Sequence, residues 1–398
     1  MTSHGAWRRT ASGAGLLSED GTLRPTIFAE MSALAQATGA INLGQGFPDE
    51  DGPAEVLEAA REAIASGVNQ YSPGRGHAGL REAVARHQRR FYGLEVDPDT
   101  EVLVTAGATE ALTATILALT DSGDEVVTLE PYYDSYAATI ALAGARHVTV
   151  PLHAPAFTVD HDELRAAVSD RTRLILINTP HNPTGAVLDR ATLELVVELA
   201  HRHDAIIVTD EVYEHITFGV PHTPISTLPG AQERTITISS GGKTFNTTGW
   251  KIGWLTAPAA LVDRVLAVKQ FLTYVNGAPF QPAIAVGLDL PDSYFTGLAA
   301  TLQRRAATLS AGLAVAGLDV HPTRGSYFVL ADATPLGHPD AVEFCRRLPL
   351  EAGVVAIPVS AFVTRTRRSE YSSLVRFAFC KRDEVLTDAV GRLASLHA

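Results

Sequence analysis

Lysine is scarce in this chain of 398 residues: only Lys243, Lys251, Lys269 and Lys381 occur, and arginine carries nearly all the positive charge. A reaction that needs a lysine amine has four candidates. Two of them share a stretch rich in Gly, Ser, Thr and Trp, Ser239-Ser240-Gly241-Gly242-Lys243-Thr244-Phe245 followed by Thr248-Gly249-Trp250-Lys251-Ile252-Gly253-Trp254. Small neighbours let a bulky partner approach Lys243, and an amine becomes nucleophilic when burial or a nearby cation lowers its pKa. A lone lysine is usually a solvated surface charge; two of four in one such stretch shift the balance toward chemistry.

Four further clusters can be read the same way. Thr105-Ala106-Gly107-Ala108-Thr109-Glu110 offers free N–H groups and a helix dipole to an anion such as phosphate; the plainer reading is a helix cap by Thr109. In Glu130-Pro131-Tyr132-Tyr133-Asp134-Ser135-Tyr136, a ring can stack on a flat heteroaromatic group or simply pack in a core. Asn178-Thr179-Pro180-His181-Asn182-Pro183-Thr184-Gly185 fixes its backbone with two prolines and a glycine and presents Asn182 as a side-chain donor; otherwise it is a turn. In Thr209-Asp210-Glu211-Val212-Tyr213, the carboxylate can pair with a protonated ring nitrogen and Tyr213 can donate to a ring oxygen; otherwise Asp210 begins a helix.

The elements that must position these clusters are legible around them. Each follows a short apolar run: Val102–Thr105, Val126–Leu129, Leu174–Ile177, Ile206–Thr209 and Thr235–Ile238. Runs this apolar suit strands covered on both faces, and helical stretches such as Glu110–Leu119 and Ala191–Arg202 lie between them. Alternation of this kind predicts an α/β fold, a mostly parallel central sheet flanked by helices, with ligands at the carboxyl ends of the strands. After about Pro291 the character changes to a smaller α+β domain. Its expected elements are a long helix at Tyr294–Val315, a strand at Gly325–Leu330, a helix near Asp340–Leu348, strands at Val354–Ile357 and Leu374–Phe379, and a final helix from Asp383. The domain reading is a mobile N-terminal tail over 1–22, an arm over 23–48 joining the small domain, a large domain over 49–290 and the small domain over 291–398.

Composition bounds the function. With 46% hydrophobic and 19% charged residues a large core can form. A net charge of −12 without a long basic run argues against nucleic acid as the main partner. Two cysteines without CxxC spacing indicate neither a zinc site nor a disulfide framework, so no metal is expected and a cytoplasmic setting fits. No run of 18 apolar residues predicts a membrane span, and the N-terminus lacks the apolar middle of a signal peptide.

Taken in order, these clusters resemble the fold-type I pyridoxal-phosphate aminotransferases, in the branch with kynurenine, glutamine and methionine aminotransferases. The resemblance runs from about Arg24 to the end. It is carried by N-L-G-Q-G-F-P (Asn42 to Pro48), N-Q-Y-S-P-G-R-G (Asn69 to Gly76), N-P-T-G, D-E-V-Y, S-G-G-K-T-F and T-G-W-K-I-G-W. The segments E-M-S-A-L-A, G-Q-G-F-P-D-E-D-G-P, Y-D-S-Y and L-V-R-F-A-F-C-K-R-D are similar to actinobacterial succinyldiaminopimelate aminotransferases.

The resemblance implies pyridoxal 5′-phosphate as cofactor, bonded by Lys243, which also shuttles the proton. It implies Asp210 on the pyridine nitrogen, Tyr133 on the ring face, and Asn182 and Tyr213 on the ring hydroxyl. Gly107, Ala108, Thr109, Ser240 and Lys251 would hold the phosphate. Tyr71 would reach the phosphate of a neighbouring subunit, which implies a homodimer. Arg376 would clamp the substrate α-carboxylate, helped by Asn182 and the backbone N–H of Gly46. Two departures stand out. Lys251 occupies a place where many relatives have arginine. No arginine occurs in Tyr274–Pro279, where aspartate aminotransferases bind a distal carboxylate, so Arg75 is a candidate substitute, or else a solvated loop residue. The reaction expected is ping-pong transfer of an amino group from an L-amino acid to a 2-oxo acid, with N-succinyl-LL-diaminopimelate and 2-oxoglutarate as one possible pair. Kynurenine, glutamine or methionine transamination, β-elimination or oxidation are the alternatives on the same cofactor. A DNA-binding regulator with this domain would need more chain ahead of it than the roughly 20 residues available.

Overall fold

The computed structural model describes residues 5–397. Its centre is an eight-stranded sheet in the order Val102–Ala106, Ile252–Thr256, Thr235–Ser240, Ile206–Asp210, Thr172–Asn178, Glu125–Glu130, Arg146–His153, Thr158–Val159. The five strands from Thr235–Ser240 to Arg146–His153 are mutually parallel. All five expected runs are strands, and Glu125–Glu130 is buried at every position, as a strand sandwiched between helices must be. Ile252–Thr256 pairs antiparallel with both of its neighbours. Only residues 241–251, with short helical turns at Gly241–Thr244 and Thr248–Trp250, separate it from Thr235–Ser240, too little for a crossover that returns the chain parallel.

The smaller lobe carries a four-stranded antiparallel sheet, Asp319–Val320, Phe328–Asp332, Leu374–Ala378 and Ile357–Pro358, with helices Asp292–Val315, Ala341–Glu351 and Asp383–Leu393. Two expectations shift here. The strand expected from Gly325 begins at Phe328, because Ser326 adopts φ 64°. The run Val354–Ile357 splits: Val354–Val355 pairs in parallel with Ile41–Asn42, and Ile357–Pro358 joins the other sheet. The N-terminal arm is thus stitched into the small lobe by backbone hydrogen bonds. One apolar core joins Met31, Leu309, Phe344 and Phe377 to Val212 and Tyr213, so the turn after Asp210 is gripped by small-lobe side chains.

The tail expectation for 1–22 needs correction, apart from Met1–His4, which lie outside the described residues. Ala6–Gly13 is a helix packed on Asp134–Ala143, with Ala11 buried and a bridge between Leu17 and Leu23 behind it. Small residues make the close approach possible: a Cβ on Gly13 would sit 2.4 Å from Ala141 Cβ. At eight residues the helix is shorter than the window over which a helical period can be told from a polar tail. Gly13→Val is expected to lift this helix and speed tryptic cleavage after Arg8 and Arg9 about tenfold, the effect of roughly 1.4 kcal/mol on local opening. An unchanged cleavage rate would show that the packing contributes nothing.

Among the described residues no helix is long and apolar enough to cross a membrane.

Candidate active site

The strand ends converge on one cavity of about 190 Å³. Gly107, Ala108, Thr109, Tyr133, Asn182, Asp210, Tyr213, Ser240, Lys243 and Lys251 all line it, as does Asn178.

At one end lies a turn whose free N–H groups suit an anion. Gly107 begins the helix Gly107–Leu119 at φ 72°, a conformation that glycine adopts without strain. The antiparallel strand presses on it: a Cβ at Gly253 would sit 2.5 Å from the Gly107 carbonyl carbon and 2.7 Å from Ala108 N. The first N–H groups of this helix have no intrahelical acceptor and face the cavity with the positive end of the dipole. Ser240 caps the short helix Gly241–Thr244, its Oγ accepting from Gly242 N at 3.2 Å. Lys251, at φ 54°, brings its amine beside Gly107.

At the other end Asp210 closes its strand. Asn178 donates to the Asp210 carbonyl at 2.7 Å and accepts from Asn182 N at 2.8 Å, locking the two strand ends together. The Tyr136 hydroxyl donates to Asp210 Oδ2 at 2.6 Å. Burial pushes the Asp210 carboxyl up to about 6, while the hydrogen bonds from Tyr136 and Val212 N pull it back. A cationic partner in the cavity would hold it ionised.

Lys243 lies between the two ends. Its amine donates to Gly46 O at 3.1 Å and sits 5.7 Å and 5.5 Å from the ring centres of Tyr213 and Tyr327. Burial holds its pKa below the ordinary value; Arg376 and Lys251 add to this, and Cys380 and Asp210 oppose it. Tyr327 donates its hydroxyl to the Lys243 carbonyl. Tyr213 is buried, and burial raises its phenol. Tyr133 is raised by burial as well, against a hydrogen bond with Thr109.

Arg376 comes from the small lobe and is 2% exposed. Nη1 donates to Asn182 Oδ1 at 2.9 Å and Nη2 to Gly44 O at 2.7 Å, while Nε has no partner. The guanidinium carbon lies 4.1 Å from the Phe328 ring centre and 4.7 Å from that of Phe362. Burial lowers its pKa to about 10, still far above neutrality. Three of its five N–H donors are left for an anion. Gly46 is held against the same ring; a Cβ there would meet Phe328 Cζ at 2.3 Å.

Gly46 and Arg376 do not line the cavity but hydrogen-bond its Lys243 and Asn182, whereas Tyr71 and Arg75 stand apart from it. Tyr71 is 83% exposed, its ring edge-on to Tyr274 at 5.7 Å. Arg75, the candidate reader of a distal acid, is committed elsewhere: it pairs with Asp263 and donates to Thr100 O at 3.2 Å. The sequence motifs give no role to Tyr136, Asn178 or Tyr327. Tyr136 and Asn178 sit inside motifs already singled out, whereas nothing near Tyr327 signals that it reaches Lys243.

The sequence also singled out no metal ligands. Among the described residues His87, Glu214 and His215 bring possible ligand atoms within 4.8 Å of one another. Those atoms are engaged internally: His87 and His215 share a hydrogen bond of 2.7 Å, and Glu214 accepts from Tyr92 and Ser239.

Comparison with known proteins agrees with this geometry. Residues 38–393 match the family described as aminotransferase class I and II. The chain is 52% identical to the probable N-succinyldiaminopimelate aminotransferase DapC of Mycobacterium tuberculosis, over 94% of this chain and 97% of the relative. It is 41% identical to the methionine aminotransferase of Escherichia coli, over 94% and 96%. The structure of the M. tuberculosis N-succinyldiaminopimelate aminotransferase superposes with a TM-score of 0.91 at 53% identity, covering 94% of this chain and 97% of that one. With a lysine amine, an anion-binding turn and a buried carboxylate in one cleft, and with relatives matched over nearly their whole length, the chain belongs to the class I and II aminotransferases and is a transaminase.

Proposed function

We propose that the cleft binds pyridoxal 5′-phosphate, bonded to Lys243, and that the enzyme moves an amino group from N-succinyl-LL-diaminopimelate to 2-oxoglutarate, or the reverse. The observation that carries the cofactor assignment is the placement of the Lys243 amine between a glycine-cradled N–H turn and a buried carboxylate. When bound, the cofactor supplies an electron sink that acidifies the α-C–H of the amino acid. Everything else falls to the chain. Gly107, Ala108, Thr109, Ser240 and Lys251 hold the phosphate. Tyr133 covers the ring. Asp210 keeps the ring nitrogen protonated, and Asn182 and Tyr213 donate to the ring hydroxyl. Asn182 can do so because its Oδ1 already accepts from Arg376, leaving its amide hydrogens free. Arg376 and the Gly46 N–H seat the α-carboxylate. Lys243, freed as a neutral amine, would take the α-proton and deliver it to the cofactor's aldehyde-derived carbon, two bonds from the α-carbon.

The substrate assignment rests on likeness to the mycobacterial enzyme. We further propose a homodimer in which Tyr71 reaches the partner's phosphate; its exposure beside the exposed Tyr274 supports this. A cytoplasmic enzyme fits the two free, buried cysteines, Cys345 and Cys380. The arm at 23–48, large domain at 49–290 and small domain at 291–398 remain our division. The pairing of Ile41–Asn42 with Val354–Val355 supports the arm.

A spectroscopic screen tests the substrate. Yellow enzyme is mixed with N-succinyl-LL-diaminopimelate or with single amino acids, and loss of the lysine–cofactor band is followed. The succinylated compound is expected to bleach the band, and 2-oxoglutarate to restore it. Bleaching by methionine, glutamine or kynurenine alone would overturn the substrate assignment. Pyruvate and ammonia released without an acceptor would instead favour elimination.

A further inference from the structure

We infer that Glu110, Lys269 and Asn276, none of which lines the cavity, are positioning residues for the phosphate end of the cofactor site; the inference rests on the cofactor assignment above. Three loops must keep fixed relations for that site to exist: the turn at Ala106–Gly107, the backbone at Lys251, and the loop carrying Tyr71. The segment 269–276 is fastened to each of them.

Glu110 is 8% exposed, and both of its oxygens are used. Oε2 accepts from Ala106 N at 2.6 Å, the residue before the anion-binding turn, and Oε1 accepts from the Thr273 hydroxyl at 2.6 Å. Lys269 is 1% exposed, a rare state for a lysine. Its ammonium donates to Gly74 O at 3.2 Å, in the Tyr71 loop, and to Tyr274 O. Burial lowers its proton affinity and the Glu110 charge restores part of it. Asn276 Nδ2 donates to the Lys251 carbonyl at 2.8 Å and so holds that residue at φ 54°, a conformation L-residues seldom adopt. Glu110 is also the wrong charge to attract a phosphate. Its value to the site must lie in geometry, since its field opposes the anion.

That opposition makes the test discriminating. The full chain, freed of cofactor with hydroxylamine and then dialysed, is titrated with pyridoxal 5′-phosphate and with pyridoxal, the same aldehyde without the phosphate. Glu110→Gln removes a negative charge near the anion, yet it is expected to raise the dissociation constant for pyridoxal 5′-phosphate about tenfold, the effect of losing one buried charge-assisted hydrogen bond. Asn276→Ala and Lys269→Met are expected to act in the same direction. Pyridoxal affinity should stay within about twofold in all three. Tighter phosphate binding in Glu110→Gln, an equal loss for both aldehydes, or no change in either would overturn the positioning role. If Lys269→Met does not fold, the other two variants decide. A wild-type chain that binds neither aldehyde would sink the cofactor assignment itself. Wild-type binding with unaltered variants would sink only the positioning role.

Discussion

Replacing Lys243 with alanine is expected to abolish turnover, lowering kcat by about four orders of magnitude or more. Two losses combine. The amine that bonds the cofactor is gone, and so is the base that would carry the α-proton; a positioned general base alone is worth roughly 10²- to 10⁴-fold. No neighbouring group can substitute. The cavity holds one other amine, on Lys251, and that lies at the anion-binding turn. The hydroxyls of Tyr213 and Tyr327 are buried, and burial raises both well above neutral pH. Lys243→Arg should fail almost as badly, because a guanidinium keeps the charge but offers no neutral amine. Single-turnover mixing with the amino donor reads the proton-transfer step directly. Turnover within about tenfold of wild type in the alanine variant would refute the role, since even the low end of general-base catalysis exceeds that.

What could be read from the sequence follows from where the physics is local. The parallel strands are buried on both faces, so Leu174–Ile177 and Ile206–Thr209 stand out as apolar runs, and an open α/β sheet places its ligands just past such runs. That is enough to gather Gly107, Tyr133, Asn182, Asp210 and Lys243 before any coordinates. What stayed hidden depends on contacts between distant residues. Tyr136 donates to Asp210 across 74 residues, and Tyr327 to the Lys243 carbonyl across 84. Arg75 looked free because its partner, Asp263, is 188 residues away. The direction of Ile252–Thr256 depends on connection length rather than on its own residues. The helix Ala6–Gly13 is short and mostly polar, and its docking on Ala137 and Ala141 is a contact with residues far along the chain.

Arg376→Lys separates charge from shape at the substrate end. The ammonium would keep the positive charge among Phe328, Phe362 and Phe28 but could not make the same contacts. Arginine spends two donors on Asn182 Oδ1 and Gly44 O and still has three, including an unpartnered Nε–H, with which to take a carboxylate in a two-pronged grip. Lysine has three donors at a single point, so satisfying those two acceptors leaves one for substrate. Losing one prong at about 1.5–3 kcal/mol should lower kcat/KM for the amino acid by roughly 10- to 150-fold, mostly through KM, because the carboxylate is held in both the ground and transition states. Cofactor affinity should change little, since an ammonium that still donates to Asn182 Oδ1 leaves that amide's hydrogens free for the ring hydroxyl. The same variant should also lose affinity for simple carboxylates that compete with substrate, and by a similar factor. If kcat/KM stays within threefold while inhibitor binding is unaltered, the α-carboxylate is seated by other donors. Arg376 would then be a structural tie between Asn182 and the Gly44 loop.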